Sequence, residues 1–451
     1  VVQKEQADGV LVQFGGQTAI NLADGLAKQG VNIIGTELSV IEATEDRDQF
    51  YQLLQKLAIP HIPGDTVMST KDATTMAAKI GYPILIRPSY VIGGQGMVIV
   101  ESEQALLAHI EQMKKSTSHN RIFPLLIDRF ITGSEVEIDA VCDGKDVLIP
   151  GIFEHIEKAG VHSGDSVAIF PAPSLTVSEK KTIETYTQKI SEALDVKGIM
   201  NIQFVISADR KTIYVLEVNP RASRTVPIAS KVTGVPMIDL ATRVQMGESL
   251  QQQDWKLGLH EDVPFYAVKM PVFSTNKLAG LDPLLGPEMK STGEAIGIGS
   301  TVEAAMAKAF GWKEEFFQAI TSEKSIYLAI DAINDSLVSA LHHVEGKIVA
   351  DQETTDMLQA KGITVNQTLA VEAATEANNE EAFVLVCSTK IGEQHKQLRE
   401  STLQAGVICL TAMETLVAYL QATKEKQEAP YPINHYQLDH NQLNKKERVL
   451  R

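Results

Sequence analysis

Residues 201–225 read NIQFVISADRKTIYVLEVNPRASRT, in which two apolar runs lie on either side of the turn-forming residues ADRK. Runs of this kind predict an antiparallel β-hairpin whose side chains alternate between two faces. Folding the chain at the turn brings Gln203 opposite Glu217, and alternation places Asn219 on the same face as Glu217. Three oxygen-bearing side chains are therefore expected to converge on one face of the hairpin.

Two arginines follow the hairpin directly, because Pro220 ends the second strand and Arg221 and Arg224 come within the next turn. Carboxylate and amide oxygens suit Mg²⁺, and arginines suit phosphate, so the pattern is typical of phosphoryl transfer. The alternative is that the three oxygen-bearing side chains line a solvated strand face and pair with the arginines, as charged residues on exposed strands commonly do.

The composition indicates a soluble globular protein of two or three domains, since the chain has 451 residues, of which 44% are hydrophobic and 22% charged. No apolar run approaches the roughly 18 residues that a membrane-spanning helix needs. The formal net charge of −16 argues against a nucleic acid or an anionic membrane as partner.

The three cysteines, Cys142, Cys387 and Cys409, are far apart and form no CxxC motif, so neither a disulfide framework nor a zinc site is predicted. A reducing, cytoplasmic location is expected. The first residues, VVQKEQADG, have no basic region followed by an apolar core and therefore do not predict a signal peptide. They look like the tail of a helix, which suggests that the chain is part of a longer protein.

The first 35 residues have the pattern of a βαβ fragment, with strands predicted at residues 9–15 and 32–35 and a helix between them that closes with a glycine. Gly15 and Gly16 lack the GxGxxG spacing, so a packing role is expected rather than a dinucleotide site. A charged helix is predicted from Thr44 onward.

Strands PILIRPSY (83–90) and MVIV (97–100) are joined by VIGGQG, whose glycines allow the backbone to approach an anion. No GK[ST] opens a helix afterwards, so this is not a Walker A motif, and the glycine loop alone is weak evidence for a nucleotide. Arg87 strengthens it, because a fixed cation beside the loop suits a triphosphate. His162 lies in the polar loop AGVHSGDS, where a structural role and a ligand contact both remain open.

The rest of the chain alternates between helical and strand patterns. Helices are predicted at residues 178–194, 226–248 and 301–310. Beyond Gly311, strands alternating with helices predict a small parallel α/β domain. From Glu425 the sequence is polar and predicts a loose tail.

Several motifs together resemble the second half of the carbamoyl phosphate synthetase large subunit: EDRDQF, GYPILIRPSYVIGGQGM, EHIEKAGVHSGDS, NIQF, LEVNPRASRTVPIASKVTGVP and DPLLGPEMKSTGE. The resemblance runs from about residue 9 to 311 and implies a mixed α/β and α+β chain. Residues 1–45 are then a truncated pre-ATP-grasp βαβ fragment, 46–311 an ATP-grasp domain, and 312–451 a parallel α/β domain resembling methylglyoxal synthase.

The resemblance implies an ATP-dependent ligase that phosphorylates carbamate to carbamoyl phosphate, for arginine or pyrimidine biosynthesis. The implied cofactors are ATP and two Mg²⁺ or Mn²⁺ ions per site, with K⁺ as a further cation. The implied partners are a small glutaminase subunit, which supplies ammonia, and the carbamate-forming half of the large subunit. A homo-oligomer of the complete enzyme is also expected, with no nucleic-acid or membrane partner.

By the same resemblance, two sets of residues would handle the chemistry. Gln203, Glu217 and Asn219 would hold the metal ions, while Arg221 and Arg224 would steady the transferring phosphoryl group. His162 would orient phosphate or carbamate, or contact only the nucleotide. The implied nucleotide contacts are Arg47, Arg87, Gly93, Gly94, Met97, Asp128, Arg129, Ile131, Glu137, Gly160, Val161, His162, Ser163, Gln203 and Glu217. Glu135 competes with Glu137, because the loop TGSEVEID is one residue longer than usual in the family.

Two departures from the family pattern affect regulation. VADQETTD (349–356) is acidic and lacks glycine where the family has a phosphate-binding turn, and Met270 stands in YAVKM where a glutamate is usual. Both favour a member without nucleotide or ornithine control. Two other functions remain open: another ATP-grasp carboxylate ligase, and a regulatory or subunit-interaction fragment that binds ATP without turnover.

Overall fold

The computed structural model describes residues 1–88, 97–116, 122–274, 280–311, 325–378 and 382–424, together with Tyr431, Ile433 and Tyr436. The chain divides into two compact units. The first contains Val1–Glu154 and Phe170–Val263, and the second contains His155–Ile169 and Pro264–Pro432. The domain boundaries expected after residues 45 and 311 remain predictions. The glycine loop that includes Gly93 and Gly94, and most of the expected tail, lie outside the described residues.

The first unit opens with helices α1 (Val2–Glu5) and α2 (Gly16–Lys28). Gly30 follows α2 with a φ of 78°, the left-handed conformation that commonly closes a helix. A Cβ on Gly15 would lie 2.4 Å from the Cβ of Ala19, so the expected packing role is confirmed for Gly15. For Gly16 it is wrong, because a Cβ there would meet nothing within 4 Å; its φ of 63° is what favours a glycine.

The strands predicted before and after α2 are corrected to a single parallel bridge between Val10 and Ile33. The first strand stops early because the chain turns into α2. The Gly15 N–H donates to the Val12 carbonyl in this turn, which leaves no extended residues for further pairing.

The helix predicted from Thr44 is corrected to two helices, α3 (Leu38–Glu45) and α4 (Arg47–Lys56). They are separated at Asp46, whose backbone is extended and whose carboxylate accepts a hydrogen bond from the N–H of Gln49. Asp46 is therefore the N-cap of α4, a role for which a short carboxylate is well suited.

A four-stranded sheet with antiparallel neighbours follows, in the order β1-β4-β2-β3. Its elements are β1 (Gly64–Val67), α5 (Thr70–Ile80), β2 (Ile84–Pro88), β3 (Val98–Val100), α6 (Glu103–Ser116) and β4 (Leu125–Arg129). The predicted pairing of PILIRPSY with MVIV is confirmed, with Ile84 opposite Val100. Apolar residues of α5, α6 and the sheet form one buried cluster.

The next stretch contributes strands to both units. They are β5 (Gly133–Asp143), β6 (Val147–Ile149), β7 (Phe153–Lys158), β8 (Ala168–Phe170), β9 (Lys197–Ser207), β10 (Ile213–Asn219), β11 (Gly258–Leu259), β12 (Tyr266–Val272) and β13 (Gly293–Gly299). The helices are α7 (Val177–Leu194), α8 (Val226–Thr233), α9 (Met237–Gln245) and α10 (Val302–Phe310). The helices predicted in this region are thus present.

In the first unit, β5, β9 and β10 form an antiparallel sheet with β9 in the middle, and β6 pairs with β5. One face of β5 and β9 carries Val136, Ile138, Ile202 and Phe204, all fully buried. These side chains belong to a cluster that also includes Ile183 of α7, so this face is the core of the unit. The opposite face carries the polar residues.

The second unit contains β12 and β13 and most of β7 and β8, in the order β7-β8-β12-β13. β12 and β13 are antiparallel, and the alanine-rich helix α10 packs against both. It also contains a parallel sheet in the order β16-β15-β14-β17-β18. Its elements are β14 (Ser325–Ala329), α11 (Asp335–Leu341), β15 (Lys347–Ala350), α12 (Gln352–Ala360), β16 (Gln367–Thr368), α13 (Val371–Asn378), β17 (Phe383–Ser388), α14 (Glu393–Gln404), β18 (Ile408–Leu410) and α15 (Met413–Ala422). The predicted parallel α/β domain is confirmed, with β16 and α13 in addition.

No helix among the described residues combines the length and the apolar character needed to cross a membrane.

An ion pair that α14 makes in the second unit provides a stability test. Arg399 is 1% exposed, and its guanidinium donates to both carboxylate oxygens of Asp282, at 2.6 and 2.8 Å. Removing one partner of a buried pair leaves an uncompensated charge, so Arg399→Met should lower the free energy of unfolding by about 3 kcal/mol. The control is Lys396→Met on the same helix, whose pair with Glu400 is 3.7 Å long and partly exposed; its cost should stay below about 0.5 kcal/mol. Hydrogen exchange of the β17 amides measures both.

Candidate phosphoryl-transfer site

A row of three polar side chains crosses β5, β9 and β10. Glu137 is in register with Gln203, and Gln203 is in register with Glu217. The predicted opposition of Gln203 and Glu217 is confirmed. We call these three residues the central row. Glu135 lies on the same face of β5 but is in register with Val205, one row further along. Register therefore favours Glu137 over Glu135 as the neighbour of Gln203.

Glu217 is the centre of a hydrogen-bonded cluster. Its Oε1 accepts from Nε2 of Gln203 and from Nδ2 of Asn219, each at 2.8 Å. The expected convergence of these three side chains is thereby confirmed. The donor set consists of one carboxylate and two amides, and oxygen ligands of this kind fit a hard cation such as Mg²⁺. To bind one, the amides would turn their oxygens toward the cation while the Glu217 carboxylate supplies the charge.

The unbroken alternation predicted for β10 is wrong, because a β-bulge lies between Val215 and Glu217. Val215 is opposite Phe204 and Glu217 is opposite Gln203, so Leu216 is the extra residue. Strict alternation from the buried Val215 would have placed Glu217 on the core face. The bulge reverses the phase of the strand and directs Glu217 to the polar face.

A second row lies beside the central row and consists of Asp139, Asn201 and Asn219. Asp139 is 2% exposed, and its carboxylate accepts from Nδ2 of Asn201 at 3.2 Å. Burial and the nearby charge of Glu137 raise the pKa of Asp139 to about 7. The sequence interpretation did not assign Asp139 any role, although its alternation with Glu137 along β5 was a usable signal.

The loop after β10 carries the two predicted arginines. Arg221 donates from Nε to Oε1 of Gln17 at 3.0 Å and from a terminal nitrogen to Oδ1 of Asn219 at 3.2 Å. Arg221 is therefore adjacent to the Glu217 cluster, as expected. Arg224 is half-buried three residues further along the same loop.

Gln13 also holds this loop, and the sequence interpretation missed it. Gln13 is 1% exposed. Its side-chain amide donates to the Pro220 carbonyl at 2.9 Å, and its backbone carbonyl accepts from the N–H of Ala222 at 2.9 Å. The two contacts join residues more than 200 positions apart, which no local pattern could indicate.

A second cationic group forms around Asp128. The guanidinium of Arg47 lies 2.6 Å from Asp128 Oδ2 and that of Arg87 lies 3.5 Å from it. Arg47 also lies over the Tyr51 ring, 4.5 Å from its centroid, and donates to the Tyr51 hydroxyl. Among the described residues nothing accepts from Nε of Arg47 or of Arg87, and nothing donates to Oδ1 of Asp128. Two buried arginine donors without an acceptor fit an anionic ligand such as a phosphate.

The other proposed nucleotide contacts of the first unit lie near this group. Met97 is half-buried directly before β3, and Arg129 is exposed at the end of β4, with Ile131 two residues later. The Arg129 N–H donates to the Pro63 carbonyl at 2.8 Å and is therefore already used within the protein.

Gly160, Val161, His162 and Ser163 lie in the second unit, in the loop between β7 and β8. His162 Nδ1 accepts from the N–H of Gly164 at 3.0 Å, so this ring carries its proton on Nε2 when neutral. The His162 N–H donates to the Gly286 carbonyl, and the Ser163 carbonyl accepts from the buried ammonium of Lys269 at 2.7 Å. The loop is thus fixed from both sides.

Comparison with known proteins covers both the sequence and the fold. Residues 46–253 match the family described as "Carbamoyl-phosphate synthase L chain, ATP binding domain", and residues 1–43 match the "Carbamoyl phosphate synthase preATP-grasp domain". Over 96% of its length the chain is 41% identical to the carbamoyl phosphate synthase large chain of Agathobacter rectalis. The chain spans 41% of the length of that relative.

Solved structures resemble the chain in fold. The biotin carboxylase domain of Hydrogenobacter thermophilus 2-oxoglutarate carboxylase, with MgADP and bicarbonate, has a TM-score of 0.55 at 19% identity and covers 69% of this chain and 75% of its own. Campylobacter jejuni biotin carboxylase, described as a β-γ-ATP complex, has a TM-score of 0.52 at 18% identity and covers 69% of this chain and 76% of its own. At these identities the likeness concerns the fold, and the predicted fold class is confirmed.

The bulge makes one residue of β10 surplus to the pairing. Deleting Leu216 should leave Glu217 opposite Gln203 and Val218 opposite Ile202, so the protein should fold with its polar face intact. Deleting the nearby Val218 is the matched control. It would move Asn219 into the buried row of Ile202 and should prevent folding of the first unit. Circular dichroism and thermal unfolding of the two deletion variants test this, and equal behaviour of the two would contradict the assigned register.

A pH effect on stability follows from Asp128. Burial outweighs the opposing charge of Arg47 and raises the pKa of Asp128 from 3.8 to about 6. The folded protein therefore holds this proton more tightly than the unfolded chain, and this stabilisation is lost as the pH rises through about 6. As the pH rises from about 4 to about 7, the free energy of unfolding of Asp128→Asn should therefore increase by about 2 kcal/mol relative to that of the parent protein, in the absence of nucleotide. Denaturant unfolding at a series of pH values measures the difference, and a constant difference would contradict the raised pKa.

Proposed function

Because the chain belongs to the family of carbamoyl phosphate synthase large chains, we propose that it carries the unit that transfers the γ-phosphoryl group of ATP to carbamate. The observation that best supports this proposal is the Glu217 cluster with Arg221 beside it. A carboxylate between two amides, bordered by a guanidinium, suits the positioning and charge stabilisation that phosphoryl transfer needs.

In this proposal a carbamate oxygen attacks the γ-phosphorus, the new O–P bond forms, and the bond to the ADP oxygen breaks with its electron pair leaving on ADP. Carbamate is already an anionic oxygen nucleophile, so no general base is needed. Bound Mg²⁺ would supply positive charge against the phosphate oxygens. Gln203, Glu217 and Asn219 hold that charge in place, and Arg221 and Arg224 face the transferring group.

The nucleotide side of the proposal rests on Arg47 and Arg87, whose Nε donors find no acceptor among the described residues. A guanidinium that still has a donor to offer suits a phosphate oxygen. Met97 would contact the phosphates, with Asp128, Arg129, Ile131 and Glu137 toward the nucleoside; Gly93 and Gly94, which belong to the same proposal, lie outside the described residues. Gly160, Val161, His162 and Ser163 are also proposed as nucleotide contacts, with His162 orienting phosphate or carbamate.

We include in the proposal two Mg²⁺ or Mn²⁺ ions per site, K⁺ as a further cation, a glutaminase subunit, the carbamate-forming half and a homo-oligomer of the complete enzyme. A cytoplasmic location and service to arginine or pyrimidine biosynthesis belong to the same proposal. The family supports the two partners in particular, because synthesis from glutamine requires ammonia release by a glutaminase and carbamate formation before the step proposed for this chain.

We further propose that the parallel sheet of the second unit takes no phosphate effector. Its strand order reverses between β14 and β17, the position at which such sheets bind ligands. There Lys390 donates to Asp351 at 2.8 Å and to Glu353 at 2.7 Å, both within VADQETTD. A lysine already paired with two carboxylates leaves no excess positive charge for a phosphate.

The test of the catalytic assignment is ATP synthesis in the reverse direction, from ADP, carbamoyl phosphate and Mg²⁺. Glu217→Gln removes the carboxylate of the donor set and should lower kcat by about 100-fold or more, while Gln203→Ala should cost about 10-fold. Asp209→Asn, in the exposed turn of the same hairpin, is the control and should retain full activity.

Two outcomes would contradict the proposal. If the folded parent chain bound ATP but formed none from carbamoyl phosphate, the chain would be an ATP-binding interaction fragment. If it instead hydrolysed ATP in response to bicarbonate and biotin, it would be another carboxylate ligase of this fold.

A further inference from the structure

Asp139 is a buried carboxylate that no nucleotide or metal role accounts for. Its Oδ2 accepts from the Ser223 hydroxyl at 2.7 Å and also from the Thr225 hydroxyl. Its Oδ1 accepts from Nδ2 of Asn201 at 3.2 Å. Both hydroxyl donors belong to the arginine loop, which we define as residues 220–225, and they lie on either side of Arg224.

The donors around this position favour a carboxylate. One oxygen receives both hydroxyls, and the other receives an amide that also donates to the Ile138 carbonyl at 3.2 Å. An asparagine in place of Asp139 would present its NH₂ group either to the Asn201 amide, which only donates here, or to the two hydroxyls, which would then have to accept. The first orientation leaves buried donors unsatisfied, and the second replaces two hydrogen bonds to a charged carboxylate with weaker neutral ones, so either orientation should weaken the anchor of the loop.

The arginine loop is thereby held from two sides. At its start, Gln13 and Gln17 bind Pro220, Ala222 and Arg221. At its end, the Thr225 N–H donates to the Ser223 hydroxyl at 3.0 Å, and both side chains end on Asp139. Arg221 has direct side-chain partners of its own. The two hydroxyl anchors hold the backbone on either side of Arg224.

We propose that Asp139 is a positioning residue for phosphoryl transfer: by anchoring Ser223 and Thr225 it fixes the arginine loop so that Arg224 and Arg221 meet the transferring group. This proposal rests on the proposed function. Displacement of a charged group by about 1 Å can lower a rate by about 100-fold. Asp139 acts through the loop and touches neither nucleotide nor phosphoryl, so its loss should appear in kcat and leave the KM for ADP unchanged.

The first experiment measures ATP formation from ADP, carbamoyl phosphate and Mg²⁺ by the full chain. Asp139→Asn should lower kcat by about 10- to 100-fold with the KM for ADP unchanged. The matched control is Glu154→Gln. Glu154 is likewise a buried carboxylate that accepts from a serine, with the Ser174 N–H at 2.9 Å and the Ser174 hydroxyl as donors, but in the part of the chain that the structure describes it does not contact the arginine loop. It should retain kcat.

Two variants of Ser223, one without and one with a side-chain hydroxyl, test the proposal even if Asp139→Asn does not fold. Ser223→Ala should lower kcat, whereas Ser223→Thr retains the donor and should stay within about two-fold of the parent. Loss of kcat in Glu154→Gln equal to that in Asp139→Asn would overturn the proposal, as would equal activity of the two Ser223 variants.

Hydrogen exchange separates this proposal from the proposed function. The amides of Ala222 and Thr225 should exchange faster in Asp139→Asn than in the parent or in Glu154→Gln, because the loop has lost its anchor. If these amides exchanged faster in Asp139→Asn but the parent chain formed no ATP, the anchoring role would be supported and the phosphoryl-transfer assignment would be wrong. Unchanged exchange at both amides would overturn the anchoring role whatever the activity.

Discussion

The β-bulge at Leu216 is the constraint on which the arrangement of the first unit depends. Ile213 and Val215 face the core before the bulge, and Val218 faces the core after it. If every residue of β10, Leu216 included, paired without a bulge, strict alternation from Val215 would place Glu217 in the apolar cluster. An unpaired carboxylate there would cost several kcal/mol. By leaving Leu216 out of the pairing, the bulge therefore keeps the apolar core and the polar site on opposite faces of the same hairpin.

The polar face depends in turn on hydrogen bonds that cross three strands. Glu217 receives two amides, Asp139 receives two hydroxyls and an amide, and Arg221 spans from Gln17 to Asn219. Glu217 is exposed, whereas Asp139 is buried, and a buried polar group is favourable only when its hydrogen bonds are satisfied. Here the donors and acceptors match closely enough to hold charged groups in place before any ligand arrives. Preorganised charge of this kind is what stabilises a transition state without reorganisation during the reaction.

The sequence predicted most of the elements, since helices such as α7 have clear apolar periodicity and strands such as β17 are continuous apolar runs. It also predicted the opposition of Gln203 and Glu217, because a short hairpin limits the possible registers. It did not predict the bulge, because no residue of β10 indicates one by its type. It also did not predict the break between α3 and α4 at Asp46. Gln13 and Asp139 were missed for a different reason. Their partners in the arginine loop lie more than 80 positions away, and only the folded chain brings them together.

Through Gln13, the arginine loop also depends on the N-terminal segment, which precedes the residues that match the ATP-binding domain, 46–253. Its side-chain amide reaches the Thr36 hydroxyl at 3.0 Å as well as the Pro220 carbonyl, and its oxygen accepts from Gln245 of α9. One side chain thus joins the N-terminal segment, the arginine loop and a helix of the ATP-binding region. A glutamine suits this position because its amide donates and accepts at once. A carboxylate there would lose the donations to Thr36 and Pro220, and an apolar residue would leave the Pro220 carbonyl without this donor. The short N-terminal segment is therefore part of the scaffold of the arginine loop, and its contribution to the site is positional.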